Sequence, residues 1–412
     1  MVKTLLTGIF CLLPFLLMAQ DDNNSAKYRS SAKYRPIDTI VKKDLIDIVR
    51  SFVKIEPRKI SPQEKKKVYF SILPISASGI NDHRMLITST TAGFYLGAPS
   101  GTHMSTATFA PYFNFKGRYG LPIHSNIWLN NNSYNIQGDT RVLKYPQYTW
   151  GLGGGQPASN KFLVNYVYFR FYQSALKRIT PYFFAGIGYN MDYYIDIESD
   201  DGTPKTLAEF TNYKFGTAPH QNSLSSGPSL NLLYDTRNNL LDPLPGWYGN
   251  LIYRYSSSFF GSNDNWQSLY VDLRKYLSLS SSGSKNMLAF WTYYWTSLSS
   301  GTPYLSLPSI GMDPYQRSGR GIAQNRYRGE SLIYFETEYR CDITDNGLLG
   351  FVAFANVNSA SQINSRHFKY WNPAGGAGLR IKFNKKSGTN IGIDYGCSRD
   401  YRAIMLNLGE AF

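Results

Sequence analysis

The 412 residues carry 43 lysines and arginines against 28 aspartates and glutamates, a formal net charge of +15, with 33 Tyr, 24 Phe and 7 Trp. A mean hydropathy of −0.32 beside 16% aromatic residues is unlike an ordinary soluble domain; it suits a membrane β-barrel, whose alternating strands average out their hydropathy and whose aromatic residues form two interfacial girdles. The cationic excess fits a solvated arm with interior cations, or contact with anionic lipid headgroups. The absence of a recognition motif argues against nucleic acid.

The N-terminus reads as a secretory signal over residues 1–19. Lys3 is its basic region, Leu5–Met18 an apolar core interrupted by Pro14, and cleavage is expected near Ala19–Gln20. Gly8, Ile9 and Phe10 before Cys11 do not make a lipoprotein processing site, so no lipid anchor is expected. No later segment offers the ~20 apolar residues of a membrane helix. Residues 20–66 form a periplasmic arm that repeats Ser25-Ala-Lys-Tyr-Arg29 as Ser31-Ala-Lys-Tyr-Arg35 and is too polar to build a core. Ile40, Val41, Leu45, Ile48, Val49 and Phe52 fall at helical spacing, which predicts one amphipathic helix over 40–53, bounded by Pro57 and Pro62. That helix could lie on the inner leaflet, plug a barrel, dock a partner or serve as a spacer.

After Lys65-Lys66-Lys67 the chain, residues 67–412, reads as strands. Leu269, Val271 and Leu273 alternate with Tyr270, Asp272 and Arg274; Ile333, Phe335 and Tyr339 with Tyr334, Glu336, Glu338 and Arg340; Leu379, Ile381 and Phe383 with Arg380 and Lys382; Ile391, Ile393 and Tyr395 with Asp394. Each charged row must face inward, because a charge toward lipid costs ~2–4 kcal/mol at mid-membrane. The expected fold is therefore all-β, a transmembrane antiparallel β-barrel. At ~20–22 residues per strand and connection it has about 16 strands, the least distinct of them placed in Asp139–Gly155. The last segment alternates Ile404, Leu406, Leu408 and Phe412 against Ala403, Met405, Asn407, Gly409 and Ala411, and the sequence stops on an aromatic, as outer-membrane barrels do. Cys341 and Cys397 fall at opposite strand ends and are expected to be free thiols. The five histidines fit no metal spacing, no cofactor is implied, and no Ser/His/acid set shares an inward row, so no enzyme activity is expected.

Three segments resemble the BamA/TamA superfamily of outer-membrane assembly and translocation barrels. The first is Leu230-Asn-Leu-Leu-Tyr-Asp235-Thr236-Arg237-Asn238-Asn239 with Pro243-Leu-Pro-Gly246 after it, where Asp235 and Arg237 can clasp a turn. The second is Gly319-Arg320-Gly321-Ile322 followed by Arg326-Tyr327-Arg328, similar to the family's Val-Arg-Gly-Phe/Tyr loop motif. The third is Gly375-Gly-Ala-Gly-Leu-Arg380 through Asn390-Ile-Gly-Ile-Asp394 to Leu408-Gly409-Glu410-Ala411-Phe412.

The resemblance implies an internal loop lock in which Arg320 and Gly321 meet the carboxylates of Glu336 and Glu338. Ile322 and Gly319 depart from the motif, and Ala353 or Asn356 stands where the family carries Asp, which implies a weaker or rearranged lock. It also implies a lateral seam where the first strand (Val68–Ala77) pairs with the last (Tyr401–Phe412), weakened by Pro74 and Gly409 and ending in Phe412. The family's periplasmic POTRA modules have no counterpart in residues 20–66, and there is no Gly-x-Ser-x-Gly esterase segment. The function so implied is assistance to insertion or translocation of outer-membrane proteins or lipids, with outer-membrane lipids, client barrels and periplasmic or lipoprotein partners. The alternative is a passive pore or structural barrel that has lost that activity.

Overall fold

The computed structural model describes residues 42–53, 68–77, 85–114, 117–199, 205–237, 242–243, 245–280, 285–314, 316–362, 365–385 and 388–412. The signal, the tandem repeat, the start of the expected helix and the lysine run lie outside them. The elements are α1 (Leu45–Val53), β1 (Val68–Ala77), β2 (Met85–Phe94), β3 (Ser105–Phe109), β4 (Tyr112–Asn114), β5 (Tyr119–Trp128), β6 (Tyr134–Lys144), β7 (Gln147–Thr149), β8 (Phe162–Arg178) and β9 (Phe183–Ser199). They continue with α2 (Leu207–Thr211), β10 (Gln221–Asp235), β11 (Gly246–Ser256), β12 (Trp266–Ser278), β13 (Asn286–Ser297), β14 (Ser331–Asp342), β15 (Leu349–Ala360), β16 (Asn372–Asn384), β17 (Thr389–Ser398) and β18 (Arg402–Leu408).

All pairings are antiparallel, between strands adjacent along the chain. β3 and β4 both lie between β2 and β5, and β6 and β7 both pair with β8. The breaks fall at Pro111 and Pro146, whose ring nitrogens donate nothing to a ladder. Among the described residues the segments therefore make sixteen strands in the barrel sense. The strand expected within 139–155 begins earlier, at Tyr134.

Alternation decides which side faces in. On β12, Trp266, Tyr270, Asp272, Arg274 and Tyr276 are buried while the residues between them are partly exposed. On β14 the inward row is Tyr334, Glu336, Glu338 and Arg340, and Phe335 points out. The outward rows carry exposed Ile187, Leu230, Leu379, Ile393 and Ile404, an apolar belt. The interior is filled by the β13–β14 connection, residues 298–330: Ile310, Ile322 and Tyr327 pack with Tyr270, Trp291, Tyr293 and Tyr334, while Tyr304, Leu305 and Leu307 pack with Tyr166, Tyr168 and Tyr194. A connection this long is uncommon unless it has work to do.

The sheet is not closed. Among the described residues β1 pairs with β2 and β18 with β17, and no ladder joins β1 to β18. The expected pairing of the first and last strands over Tyr401–Phe412 is thus corrected. The β17–β18 register ends at Ile391↔Leu408. Gly409 then adopts φ +92°, its N–H donates to the Asn390 carbonyl at 2.7 Å, and the chain turns into the interior.

α1 starts at Leu45 because Asp44 caps it. The Asp47 N–H donates to Asp44 Oδ1 at 2.8 Å and the Asp44 N–H to Asp47 Oδ2 at 3.3 Å, a reciprocal cap. The cap is seated on two turns at the rim that the C-terminus shares. Lys385 N–H donates to Asp44 Oδ2 at 3.0 Å, and Lys43 N–H to the Asn346 carbonyl at 3.1 Å. Burial pushes the Asp47 carboxyl up, yet Lys385 Nζ and the Asp44 N–H hold it below its ordinary value.

These few polar contacts add no strand to the sheet. Deletion of residues 21–60 is expected to leave a barrel that still migrates faster unboiled than boiled on detergent gels. If the shortened chain fails to refold into detergent or lipid, the arm is a folding element instead.

Candidate functional site

The tip of the 298–330 connection is built around two left-handed glycines, Gly319 (φ +77°) and Gly321 (φ +84°). Ser318 N–H donates to Asp313 Oδ1 at 2.9 Å, the Tyr293 hydroxyl donates to Ser318 Oγ at 3.0 Å, and the Gly319 N–H donates to the Tyr334 hydroxyl at 3.1 Å. These bonds aim Arg320 at the wall. Its Nε donates to Glu336 Oε1 at 3.0 Å and its Nη1 to Asp394 Oδ2 at 3.0 Å, while Nη2 contacts both Glu336 and Glu338. The guanidinium lies 3.7 Å from the Phe354 ring centroid. Asn356, at one of the two positions where the resemblance implies Asp, donates from Nδ2 to the Arg320 carbonyl at 3.0 Å. Gly321 has no room for a side chain: a Cβ there would lie 2.6 Å from the Cys397 nitrogen. Ile322, in the place of an aromatic, is buried in the cluster with Ile310 and Tyr327.

Arg320 is 4% exposed, so its charge needs full compensation. Asp394 is shared with Arg380 (Nη1 to Oδ1, 2.5 Å), Glu338 with Arg340 (2.5 Å), and Arg380 Nε reaches Glu410 Oε2 at 2.8 Å. Lys285 lies 3.5 Å from Glu410 and also contacts Asp242, which Lys382 reaches at 2.9 Å. Burial pushes the Asp242 carboxyl up, but Lys285 and Lys382 beside it bring it below its ordinary value. One chain of ion pairs thus runs from the loop tip to the rim.

The C-terminus ends in this network. Arg340 Nη2 donates to the Phe412 backbone oxygen at 2.9 Å, Arg317 donates to the carbonyls of Glu410 and Leu408, and Asn390 Nδ2 to Glu410 Oε1 at 2.6 Å. The Phe412 ring sits 5.2 Å from Trp291 and 6.2 Å from Tyr276, centroid to centroid, and is 4% exposed. Phe412 is therefore not the outward rim residue that its parity with Ile404, Leu406 and Leu408 suggested. The reversal at Gly409 breaks that parity. Pro74 lies in β1 opposite Thr88, paired to β2 and away from Gly409's partner Asn390. The three seam residues are not brought together.

At the β10 terminus Arg237 Nε and Nη2 each reach Asp235 at 2.9 Å, and the guanidinium stacks 4.1 Å from the Tyr248 ring. Arg237 also lines an interior cavity of about 320 Å³ that His124, Asp192, Arg254, Arg274 and Phe412 share. Sequence spacing missed the part played by Asp394, Arg380 and Arg340 in the lock, although their inward parity was legible. It missed Glu410 and Arg317 altogether. It also missed an exposed group on the β9–β10 pair, where His220 Nδ1 lies 3.1 Å from Asp196 and 3.9 Å from Glu198.

No protein-family model matches the sequence, and no curated protein sequence does. Solved structures match in shape. BamA from Haemophilus ducreyi lacking POTRA domains 1–3 aligns with a TM-score of 0.50 at 12% identity, over 83% of this chain and 69% of that one. CdiB from Acinetobacter baumannii aligns with a TM-score of 0.52 at 12% identity, over 83% of this chain and 65% of that one. The chain spans about two thirds of the length of each. Its fold is the outer-membrane β-barrel fold of the BamA and CdiB type.

Arg320→Ala would leave Glu336, Glu338 and Asp394 short of a buried cation, at a cost of ~3–5 kcal/mol. A lower denaturation midpoint and faster proteolysis within 298–330 are expected, partly reversed by adding Glu336→Gln. An unchanged midpoint would show that the pairs contribute nothing net. Gly321→Ala keeps every charge yet forces a left-handed alanine into the Cys397 backbone. It should expose the same loop to protease as Arg320→Ala does; a wild-type digestion pattern would mean that the tip is free to move aside.

Proposed function

We propose that this protein is a bacterial outer-membrane barrel that assists insertion or translocation of outer-membrane proteins or lipids through a lateral seam between β1 and β18, acting without enzymatic chemistry or a cofactor. The observation that carries this reading is the open seam. Among the described residues every other neighbouring pair of strands forms a ladder, while β1 and β18 do not pair with each other and the C-terminus is engaged inside. An unpaired strand edge offers backbone donors and acceptors to an incoming strand, which is β-augmentation. β1 carries Pro74, which removes one donor. The barrel fold shared with BamA and CdiB supports the location. In this reading the partners are outer-membrane lipids, client barrels and periplasmic or lipoprotein components.

One observation favours a second reading. The cavity of about 320 Å³, lined by Arg237, Arg254 and Arg274, each paired with an aspartate, suits a narrow passive pore. The interior loop and tail count against a wide one.

Paired cysteines scanned along β1 and β18, with Cys341 and Cys397 replaced by serine, separate the two. Locking the seam is expected to lower the amount of assembled outer-membrane protein or delivered lipid in cells, and single photocrosslinkers at the same positions should trap that client. Full cellular function with the seam quantitatively crosslinked would rule out lateral opening and leave the passive barrel, which should then show a steady open conductance in planar bilayers.

A further inference from the structure

Among the described residues, α1 is held at its N-terminal end. Its cap is buried at Asp44 and bonded to the β16–β17 and β14–β15 turns through Lys385 and Asn346. Exposure rises along the helix, from half-buried Leu45 and Ile48 to Val49 at 53% and Phe52 at 82%. Leu45, Val49 and Phe52 are spaced i, i+4, i+7 and form a single apolar stripe. Such a stripe, without a partner among the described residues, is made to be covered by something.

Three observations say by what. The turn beneath the helix carries exposed Ile343, at 56%, with exposed Leu349 at the foot of β15. From there the outward apolar belt continues up the same strands through Phe335 and Leu379, so the helix stands at the edge of the belt. Cationic and polar residues lie beside the stripe: Lys42 and Lys43 just before the helix, and Arg50 and Ser51 within it, are exposed. The sequence that follows, 54–67, holds Lys54, Arg58, Lys59, Lys65, Lys66 and Lys67 against Glu56 and Glu64. An apolar stripe edged by cations at the rim of a membrane barrel matches an interfacial helix on an anionic lipid surface.

We infer that α1 is a membrane-surface anchor, its Val49–Phe52 face seated in the headgroup region of the leaflet next to the β14–β17 rim, with lysines and Arg50 against anionic lipid. Nine residues would bind a bilayer weakly alone. Tethered to an inserted barrel, the helix meets the surface at high effective concentration. The inference rests on the outer-membrane reading and not on lateral opening at the seam.

The test uses the full chain with Cys341→Ser and Cys397→Ser, carrying single cysteines Val49→Cys, Arg50→Cys or Phe52→Cys labelled with an environment-sensitive fluorophore. The protein is reconstituted in phosphatidylcholine vesicles with or without phosphatidylglycerol. Heat modifiability checks insertion first, so failure of the barrel reading is seen separately. Labels at 49 and 52 are expected to be quenched by nitroxide-bearing lipid and severalfold less by iodide supplied on both faces, more so with phosphatidylglycerol; the label at 50 should show the reverse. Labels at 49 and 52 as open to iodide as the label at 50, and untouched by nitroxide, would overturn the inference. Shielding from both quenchers would also overturn it, assigning the stripe to a protein surface.

Discussion

The interior of this barrel is organised by one buried cation. Arg320 reaches Glu336, Glu338 and Asp394 from a loop that enters from the far rim. Removing a guanidinium and three carboxylates from water is costly, and each group left over would cost more. The remedy is further pairing: Arg340 and Arg380 share the surplus carboxylates, Glu410 answers Arg380, and Lys285, Lys382 and Asp242 carry the alternation to the opposite rim. The network holds five cations and five carboxylates, so it is neutral as a whole. The loop tip, β14, β16, β17 and the C-terminus are therefore one electrostatic unit.

That unit competes with barrel closure for the last four residues. Inward, they bury the Phe412 ring, worth ~1.5–3 kcal/mol, and gain charge-assisted bonds to Arg317, Arg340 and Arg380 at ~1.5–3 kcal/mol each. Along β1 they would gain a few ladder bonds at ~0.5–1.5 kcal/mol each. The balance favours the interior, and Gly409 makes the turn possible without strain. The tail is thus held by the same lock that holds the loop.

Much of this architecture was legible in the sequence because period-two alternation is a local signal. Glu336, Glu338, Arg380 and Asp394 stand in rows whose neighbours are apolar, and a row that cannot face lipid must face in. The interruptions at Pro111 and Pro146 follow the same local logic, although short strand pieces hide the period. The direction of the tail was not legible. Parity carried Phe412 outward with Ile404, and only the conformation of one glycine reverses it. Nor could spacing join Glu410 to Lys285, or Arg317 to Leu408, since those meetings depend on the barrel curving back on itself. The start of α1 shows the opposite case: Asp44 and Asp47 form a cap by local rules, but the apolar pattern ran on to Ile40 and concealed it.

An open edge is tolerable only where its backbone groups find partners. Hydrocarbon offers none, and an unpaired N–H or C=O there costs several kcal/mol. Residues 409–412 are buried, with Arg317, Arg340, Arg380 and the Asn390 carbonyl as partners, so turning them inward leaves little unsatisfied. The edge of β18 is different. It is seven residues long against the twelve and thirteen of β15 and β16, and its outward Ile404 and Leu406 are exposed. A shorter edge lowers the number of orphaned groups without removing them. In a membrane those groups would draw in the nearest strand with matching donors and acceptors, whether β1 itself or a strand from another chain. The preference for β1 is already reduced by Pro74. This physical asymmetry, an edge that lacks a partner beside a neighbour whose own edge carries Pro74, sets the β1–β18 seam apart from the other neighbouring pairs of strands among the described residues.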